Sequence, residues 1–501
     1  MTRLRKAKLN IVFSLLFQVV SFVCGIIIPI ILLEAFGSEA YGATASITSF
    51  LAYITLLDGG IGALARAVLY KPLAENNISE VSAIISEVRS FFQKVAIVFI
   101  VYVLVLALGF NRITGTSSLD FAFSFSLVLV IAISTFGEYF IGISYSLLLQ
   151  ADQRDYISSI LKIITTIINA IMVVVLVHYG FGLVFVKLVS SLVFVTRPLI
   201  LSIYTRRHYK LVTTRKVETK KLTQKGTAFG QHIAWVIHNN TDIMVLTLFA
   251  DLSTVSVYAI YNMIISKLAN ITSAFTRGME AVFGNMLAKK EITKLQKTFE
   301  DYETLISIVS VWLFSVAAVL IIPFVRIYTY NITDTQYIYP LFSLMMTVAS
   351  LLYSMRDPYG SMIIAAGHFK QTKIAAYGEA ILNLTVSIIL VFNFGLIGVA
   401  IGTVIATLFR FVYYAYYLSK NIFYRSISRF IKRFFVNLGC FGFIYVLGIY
   451  ITSKFNINNY IEWVICAVII TGIAGGLTLI TNCIFYRQNV VTLVQNAIKK
   501  F

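Results

Sequence analysis

Charge is what this sequence lacks most. Only 13% of its 501 residues are Asp, Glu, Lys or Arg, and just 22 are acidic. Against that, 58% are apolar, and the mean hydropathy is +0.85. A soluble chain of this length would need several cores and a far more polar surface, so that class is excluded. Proline is scarce, with six residues, and no long polar stretch could form a separate soluble domain. The four cysteines (Cys24, Cys440, Cys466, Cys483) all fall in apolar segments without a C-x-x-C pair. That pattern argues against disulfides or zinc and for small buried thiols. Walker A, G-x-S-x-G and H-E-x-x-H motifs are all absent, so neither ATP hydrolysis nor a familiar hydrolase site is written here, and the chain reads as a non-enzyme.

What is present is a series of apolar runs, each about 20 residues long, the signature of a polytopic helical membrane protein. The basic head of Met1 to Leu33 (Arg3, Arg5, Lys6, Lys8) leads into a run from Ile11 that is too long for a cleavable signal, and so reads as the first span. Fourteen spans are expected, at 10–33, 41–70, 92–110, 119–149, 157–177, 181–203, 227–250, 255–288, 303–325, 337–366, 373–392, 396–418, 434–452 and 461–485. With both termini cytoplasmic, the outer loops hold only Arg112, Arg326 and Lys454 of the 41 Lys and Arg. That is the asymmetry the positive-inside rule requires. The net charge of +19 is concentrated in inner loops such as Thr205 to Gly226 and Ser419 to Arg433. Attraction to anionic headgroups explains it better than nucleic acid does.

The chain also repeats itself. "LLLQADQRDY" (Leu147 to Tyr156) aligns with "MIIAAGHFKQ" (Met362 to Gln371), and "HYGFGLVFVKLVSS" (His178 to Ser191) with "NFGLIGVAIGTVIA" (Asn393 to Ala406). "EAYGATASITSF" (Glu39 to Phe50) follows "VSVYAIYNMIIS" (Val255 to Ser266) more loosely, all at a shift of about 215 residues. Six helices per repeat return the chain to one side, which predicts parallel lobes related by an axis along the membrane normal. The expected division is 1–212, 213–424 beginning with the basic linker, and 425–501 as two additional helices.

Charged side chains inside spans cost roughly 2.5–3.5 kcal/mol each, which makes function the default reading for them. Arg66, Lys267, Arg277, Arg356 and Arg410 are the candidate anion-binding bases. Lys162, Lys187 and Arg197 lie near span ends and can snorkel. In "TLLDGGIGALARAVL" (Thr55 to Leu69), Asp58 is expected about 12 Å from Arg66 on one helix, with Arg66 answering Arg277 in the second repeat. The glycines Gly59, Gly60 and Gly62 read as close-packing positions. Span seven carries His238, Asn239 and Asp242, with His238 and Asp242 on one face, and "RDP" places Asp357 beside Arg356. Asp58, Asp242, His238, Asn239 and Asp357 are therefore candidates for coupling or gating. No cofactor or metal is expected, and coupling is open to H⁺ or Na⁺.

The segments "FGSEAYGATASITSFLAYITLLDGGIGALAR" (Phe36 to Arg66) and "NNTDIMVLTLFADLSTVSVYAIYNMI" (Asn239 to Ile264) resemble the polysaccharide-unit (O-antigen/capsule) flippases of the MATE-like multidrug/oligosaccharidyl-lipid/polysaccharide exporter superfamily. The first is similar to that family's Gly-x-x-x-Tyr-Gly, polar helix, then Leu-Asp-x-Gly and Arg pattern. The second departs from it at Val257, where the family has glycine before the tyrosine. The resemblance implies an all-α MATE-like fold with two six-helix lobes and a cationic central cavity. It implies flipping of an undecaprenyl-diphosphate-linked oligosaccharide across the bacterial cytoplasmic membrane by alternating access. The expected partners are that lipid-linked oligosaccharide and the phospholipid bilayer, with polysaccharide polymerase or chain-length machinery as further candidates and no nucleic acid. Three alternatives remain: a cation-coupled multidrug exporter, a lipid II flippase, and a membrane polymerase, which would need a sizeable periplasmic loop.

Overall fold

The computed structural model describes residues 3–58, 61–115, 119–211, 229–276 and 279–498. Each of the fourteen expected spans falls mainly on helix over its described residues. Ten helical stretches are long and apolar enough to cross a membrane. Two of these, Arg5–Asp58 and Phe369–Asn421, are double length and are broken inside by Gly37 (φ 81°) and Gly395 (φ 51°). Positive φ is open to glycine because it has no Cβ, so these two residues turn one helix into two.

Packing divides the chain into two compact units, Met1–Ser256 and Val257–Phe501. The first holds α1 (Arg3–Ala52), a 3-10 segment Tyr53–Asp58, α2 (Ile61–Ala74), α3 (Ile78–Thr114), α4 (Phe121–Gly137), a π-helical turn Glu138–Gly142, α5 (Ile143–Ala151), α6 (Tyr156–His178), α7 (Leu183–Tyr209) and α8 (Phe229–Phe249). Helix α9 (Leu252–Thr276) begins in the first unit and continues into the second. The second goes on with α10 (Met279–Ala288), α11 (Ile292–Tyr328), α12 (Pro340–Ala365), α13 (Phe369–Asn421), α14 (Ser428–Thr452), α15 (Tyr460–Phe485) and α16 (Arg487–Ile498). The expected boundary at 212/213 follows sequence equivalence, whereas the division at 256/257 follows packing.

Each unit turns apolar side chains outward and small polar ones inward. Ile11, Leu15 and Val19 of α1 and Ile97, Val101 and Val105 of α3 are exposed, while Ser46, Thr247, Ser256, Thr304 and Ser310 are at most 1% exposed. In lipid, an apolar exterior costs nothing and small hydroxyl residues let backbones approach. Buried hydroxyls then find partners across helices, as Ser46 Oγ does with Thr247 Oγ1 at 2.7 Å and Thr272 Oγ1 with Ser354 Oγ at 2.9 Å. Gly42 is the sharpest case of close approach: a Cβ there would lie 1.7 Å from the carbonyl oxygen of Leu252.

The internal repeat is visible in the backbone. Left-handed residues end equivalent helices at Asn76 and Lys290, Gln153 and Gly367, Gly180 and Gly395, and Lys210 and Tyr424, each pair 214 or 215 positions apart. Helices α3 and α11 both run 37 residues from that register. At roughly 55 Å they exceed the bilayer core and extend beyond the spans expected from hydropathy.

Several expectations change. Asp58 and Arg66 do not share one α-helix: Asp58 ends the 3-10 segment and Arg66 lies in α2. The stretch 41–70 therefore includes a 3-10 segment between α1 and α2, and the described residues of 255–288 belong to α9 and α10. Gly59, Gly60, Arg277 and Gly278 lie outside the described residues. Three cysteines are buried, but Cys483 is exposed, on a helix whose outward face (Leu479, Ile480, Ile484) is itself apolar. The arginines of the loop after α13 do not simply wait for lipid. Arg425 and Arg429 pair with Glu300 at 3.1 and 2.7 Å, and Arg433 pairs with Glu303 at 3.1 Å, so they fasten α14 to α11. Helix α15 is fixed to α11 by Trp312 Nε1 donating to Thr471 O (3.0 Å) and Trp463 Nε1 to Leu320 O (3.1 Å).

Candidate functional site

In the first unit the 3-10 segment packs against α8 and gathers two of the coupling candidates, Asp58 and Asp242. Asp58 is largely enclosed; its Oδ1 has no hydrogen-bond partner, while the Tyr139 hydroxyl and His232 lie beside the carboxyl group. His232 Nε2 also reaches the carbonyl of Thr55 at 2.8 Å, which joins α8 to the 3-10 segment. One helical stretch further along α8, Asp242 is only 4% exposed, and Tyr53 lies near Thr241 and Asp242. Asn240 is bound to the Ser49 hydroxyl of α1 (3.4 Å), whereas Asn239 points to the exterior and His238 is half-buried. The two acids therefore belong to a single polar seam with Tyr53, Tyr139 and His232. Sequence reasoning left out those last three residues; only the polarity of span seven pointed toward His232. Asn239 is exposed on α8.

Arg66 is half-buried on α2, and its Nη1 donates to Gln150 Oε1 at 2.9 Å. Gln150 in turn donates to Ser146 Oγ at 3.4 Å. A neutral amide orients the guanidinium without cancelling its charge, so Arg66 keeps both its donors and its field. Its expected equivalent, Arg277, lies outside the described residues. At the 214-residue shift that aligns the ends of α2 and α10, the residue opposite Arg66 is Glu280.

The second unit brings together two bases that the sequence placed 54 positions apart. Glu379, 1% exposed on α13, accepts from Arg356 Nη1 of α12 on Oε1 and from Arg410 Nη1, farther along α13 beyond the Gly395 break, on Oε2. Arg410 also donates to the Tyr414 hydroxyl at 2.7 Å, and Arg356 lies 4.5 Å from the centre of the Tyr353 ring. Asp357 is half-buried in the field of Arg356, Arg410 and Glu280. The triad of two bases and one acid leaves one positive charge that the carboxylate cannot neutralise. Glu379 was visible as an intramembrane acid; that it organises both arginines follows only from the fold. Lys267 is half-buried on α9.

A related arrangement in the first unit replaces the snorkelling expected of Arg197. Arg197 Nη2 of α7 donates to Thr165 Oγ1 of α6 at 3.0 Å and faces Glu138 of the π-helical turn, with Lys162 also in that field. The guanidinium turns to these groups. Among the described residues, no group of three His, Cys, Asp or Glu side chains is placed to hold a metal ion.

No family model matches the chain, and no curated protein sequence does. Solved structures do. The lipid II flippase MurJ in an inward closed conformation matches with 18% identity and a TM-score of 0.69, covering 96% of this chain and 100% of that one. An inward-facing multidrug resistance MATE family transporter of the MOP superfamily matches at 14% identity and TM-score 0.59, over 80% of this chain and 95% of that one. The MATE multidrug transporter DinF-BH matches at 15% and 0.57, over 84% and 97%. This chain is a multi-pass, all-helical membrane protein with the fold shared by the MurJ flippase and the MATE transporters.

Proposed function

We propose that this protein is a flippase for an undecaprenyl-diphosphate-linked oligosaccharide, moving the repeat unit of a surface polysaccharide from the cytoplasmic to the outer face of the cell membrane. The observation that carries this reading is Arg66, a base at membrane depth whose hydrogen bond is to the neutral Gln150. A guanidinium oriented but uncancelled is suited to a diphosphate, which offers paired acceptor oxygens and fixed negative charge. Lys267 and Arg277 would supply further bases for the same anion. Arg356 and Arg410 would contribute the residual charge of their shared triad. The polar seam of Asp58 and Asp242 would serve H⁺ or Na⁺ coupling or gating, and the two repeats would alternate access as lobes. Both termini would be cytoplasmic, as the distribution of bases in the loops suggests.

A lipid II flippase is the second reading, favoured by the coverage of the full length of the MurJ structure. A deletion strain separates the readings. Accumulation of lipid-linked oligosaccharide repeat units with loss of surface glycan supports the first, and lipid II accumulation supports the second. Intact glycan with new drug sensitivity would favour a multidrug exporter. Within the first reading, alanine at Arg66, Lys267 and Arg277 should abolish surface glycan at matched expression. Unchanged glycan in all three variants would refute the cationic-site assignment.

A further inference from the structure

Lys187 of α7 is an intramembrane base with no part in the anion-binding set or the polar seam. Its side chain lines a cavity of about 420 Å³ within the first unit, among α1, the 3-10 segment, α4, α6 and α7. That placement replaces the snorkelling its sequence position suggests. No carboxylate acts on its ammonium group, and it takes part in no hydrogen bond or ion pair among the described residues. The cluster of Glu138, Arg197 and Lys162 leaves it out; Arg197 is ten residues, about 15 Å, further along α7. An ammonium group at membrane depth without an anion is costly, so this lysine either gives up its proton or takes a counter-ion.

The side chains around it are set out for a counter-ion. Ser190 and Ser191 follow Lys187 at i+3 and i+4, on the same face of α7, and line the same cavity. They are 9% and 5% exposed, and neither hydroxyl has a hydrogen-bond partner among the described residues. From α6, Asn169 (5% exposed) brings a carboxamide whose oxygen is buried and unpartnered. A half-turn of that group presents its N–H donors instead. One charge and three neutral donor groups thus converge from two neighbouring helices. Elsewhere in the lining the polarity reverses. Thr44, Thr48, Thr55 and Ser134 donate their hydroxyl protons to carbonyls of their own segments at 2.7–3.2 Å, which leaves their oxygens as acceptors. Acceptor oxygens repel a bare anion but hold water, and the cavity has room for several waters.

We propose that this cavity binds one monovalent anion of halide type, such as chloride, on Lys187, Ser190, Ser191 and Asn169, with water between the ion and the threonines. Charge sets the valence: a single base matches a single negative charge, and a phosphate would call for a second. Shape sets the class. An ammonium group and separate hydroxyls are point donors, whereas a carboxylate or phosphate is matched by the planar paired N–H groups of arginine. Among the described residues no arginine lines the cavity. Such a site is independent of which substrate the protein moves.

Equilibrium binding of radiolabelled chloride to the full chain, purified in neutral detergent with gluconate as the background anion, tests the site. Chloride should bind saturably and be displaced by bromide, but not by gluconate or glucuronate. Lys187→Met should weaken binding roughly tenfold or more, and Ser190→Ala combined with Ser191→Ala about fivefold. Melting gives a separate readout of folding. In gluconate, Lys187→Met should melt no earlier than the parent, because it removes an unpaired charge. Chloride should then raise the melting temperature of the parent and not of that variant. Arg112→Gln, an exposed base at the far end of α3, should bind chloride as the parent does. Saturable binding that survives in Lys187→Met, or that Arg112→Gln loses equally, would overturn the proposal. So would a folded parent that binds no chloride, with Lys187 then a neutral amine. Glucuronate that displaces chloride more strongly than bromide does would also overturn it and turn the cavity over to carboxylates.

Discussion

The two units answer the same problem, a base buried between equivalent helices, in different ways. In the second unit Arg410 meets a carboxylate, Glu379, which it shares with Arg356 of α12. In the first, Arg197 of α7 meets Thr165 of α6. Thr165 stands 214 positions before Glu379, and Arg197 falls within one residue of the position equivalent to Arg410. Where the second unit has the base Arg356 on α12, the first has an acid, Glu138, on the corresponding helical stretch. The helices are the same and the signs are redistributed. The first unit closes its charge through a hydroxyl and a more exposed acid; the second locks two like charges around one buried carboxylate. A repeated scaffold thus supports one tolerant and one brittle polar core.

That difference predicts a ranking. Glu379→Gln should have the largest effect. It removes the carboxylate that two guanidinium groups share, a loss of about 3–5 kcal/mol, read as lower folded yield and an earlier melting transition in detergent. Glu138→Gln should cost less, about 1–3 kcal/mol, because Arg197 keeps Thr165 and partial solvent access. If the two substitutions cost the same, the contrast between the units is wrong. Gly395→Ala, at φ 51° and ψ −127°, should lower stability by about 1–3 kcal/mol, since that region is nearly closed to residues with a Cβ. Arg66→Gln should have the smallest structural effect, within about 1 kcal/mol in melting, because it gives up a single bond to a neutral amide. The same variant should lose surface glycan export. A folded, fully active Arg66→Gln protein would separate Arg66 from substrate binding.

Much of the architecture was legible beforehand. Hydropathy placed the expected spans on helix because each must present some 20 apolar residues to lipid, a constraint that acts locally along the chain. The repeat was legible for a similar reason: helix breaks such as Gly180 and Gly395 need glycine where φ is positive, so the backbone leaves its mark on the sequence. Helix ends were less legible. Helices α3 and α11 run past the hydrophobic core into polar residues, where hydropathy carries no signal. Helix α16, at 12 residues too short to span, was not expected at all.

The sites divide along the same line. The sequence by itself determined which charges sit at membrane depth, and that bases outnumber acids there, because an ionised group in a span stands out against its apolar neighbours. Only the tertiary structure decided which of those charges neutralise each other. Glu379 binds two arginines from different helices, Arg66 meets an amide in place of an acid, and His232 joins Asp58 from 174 positions away. Burial depends on a residue's own helix and is written locally. Pairing depends on which helix faces which, and packing alone sets that.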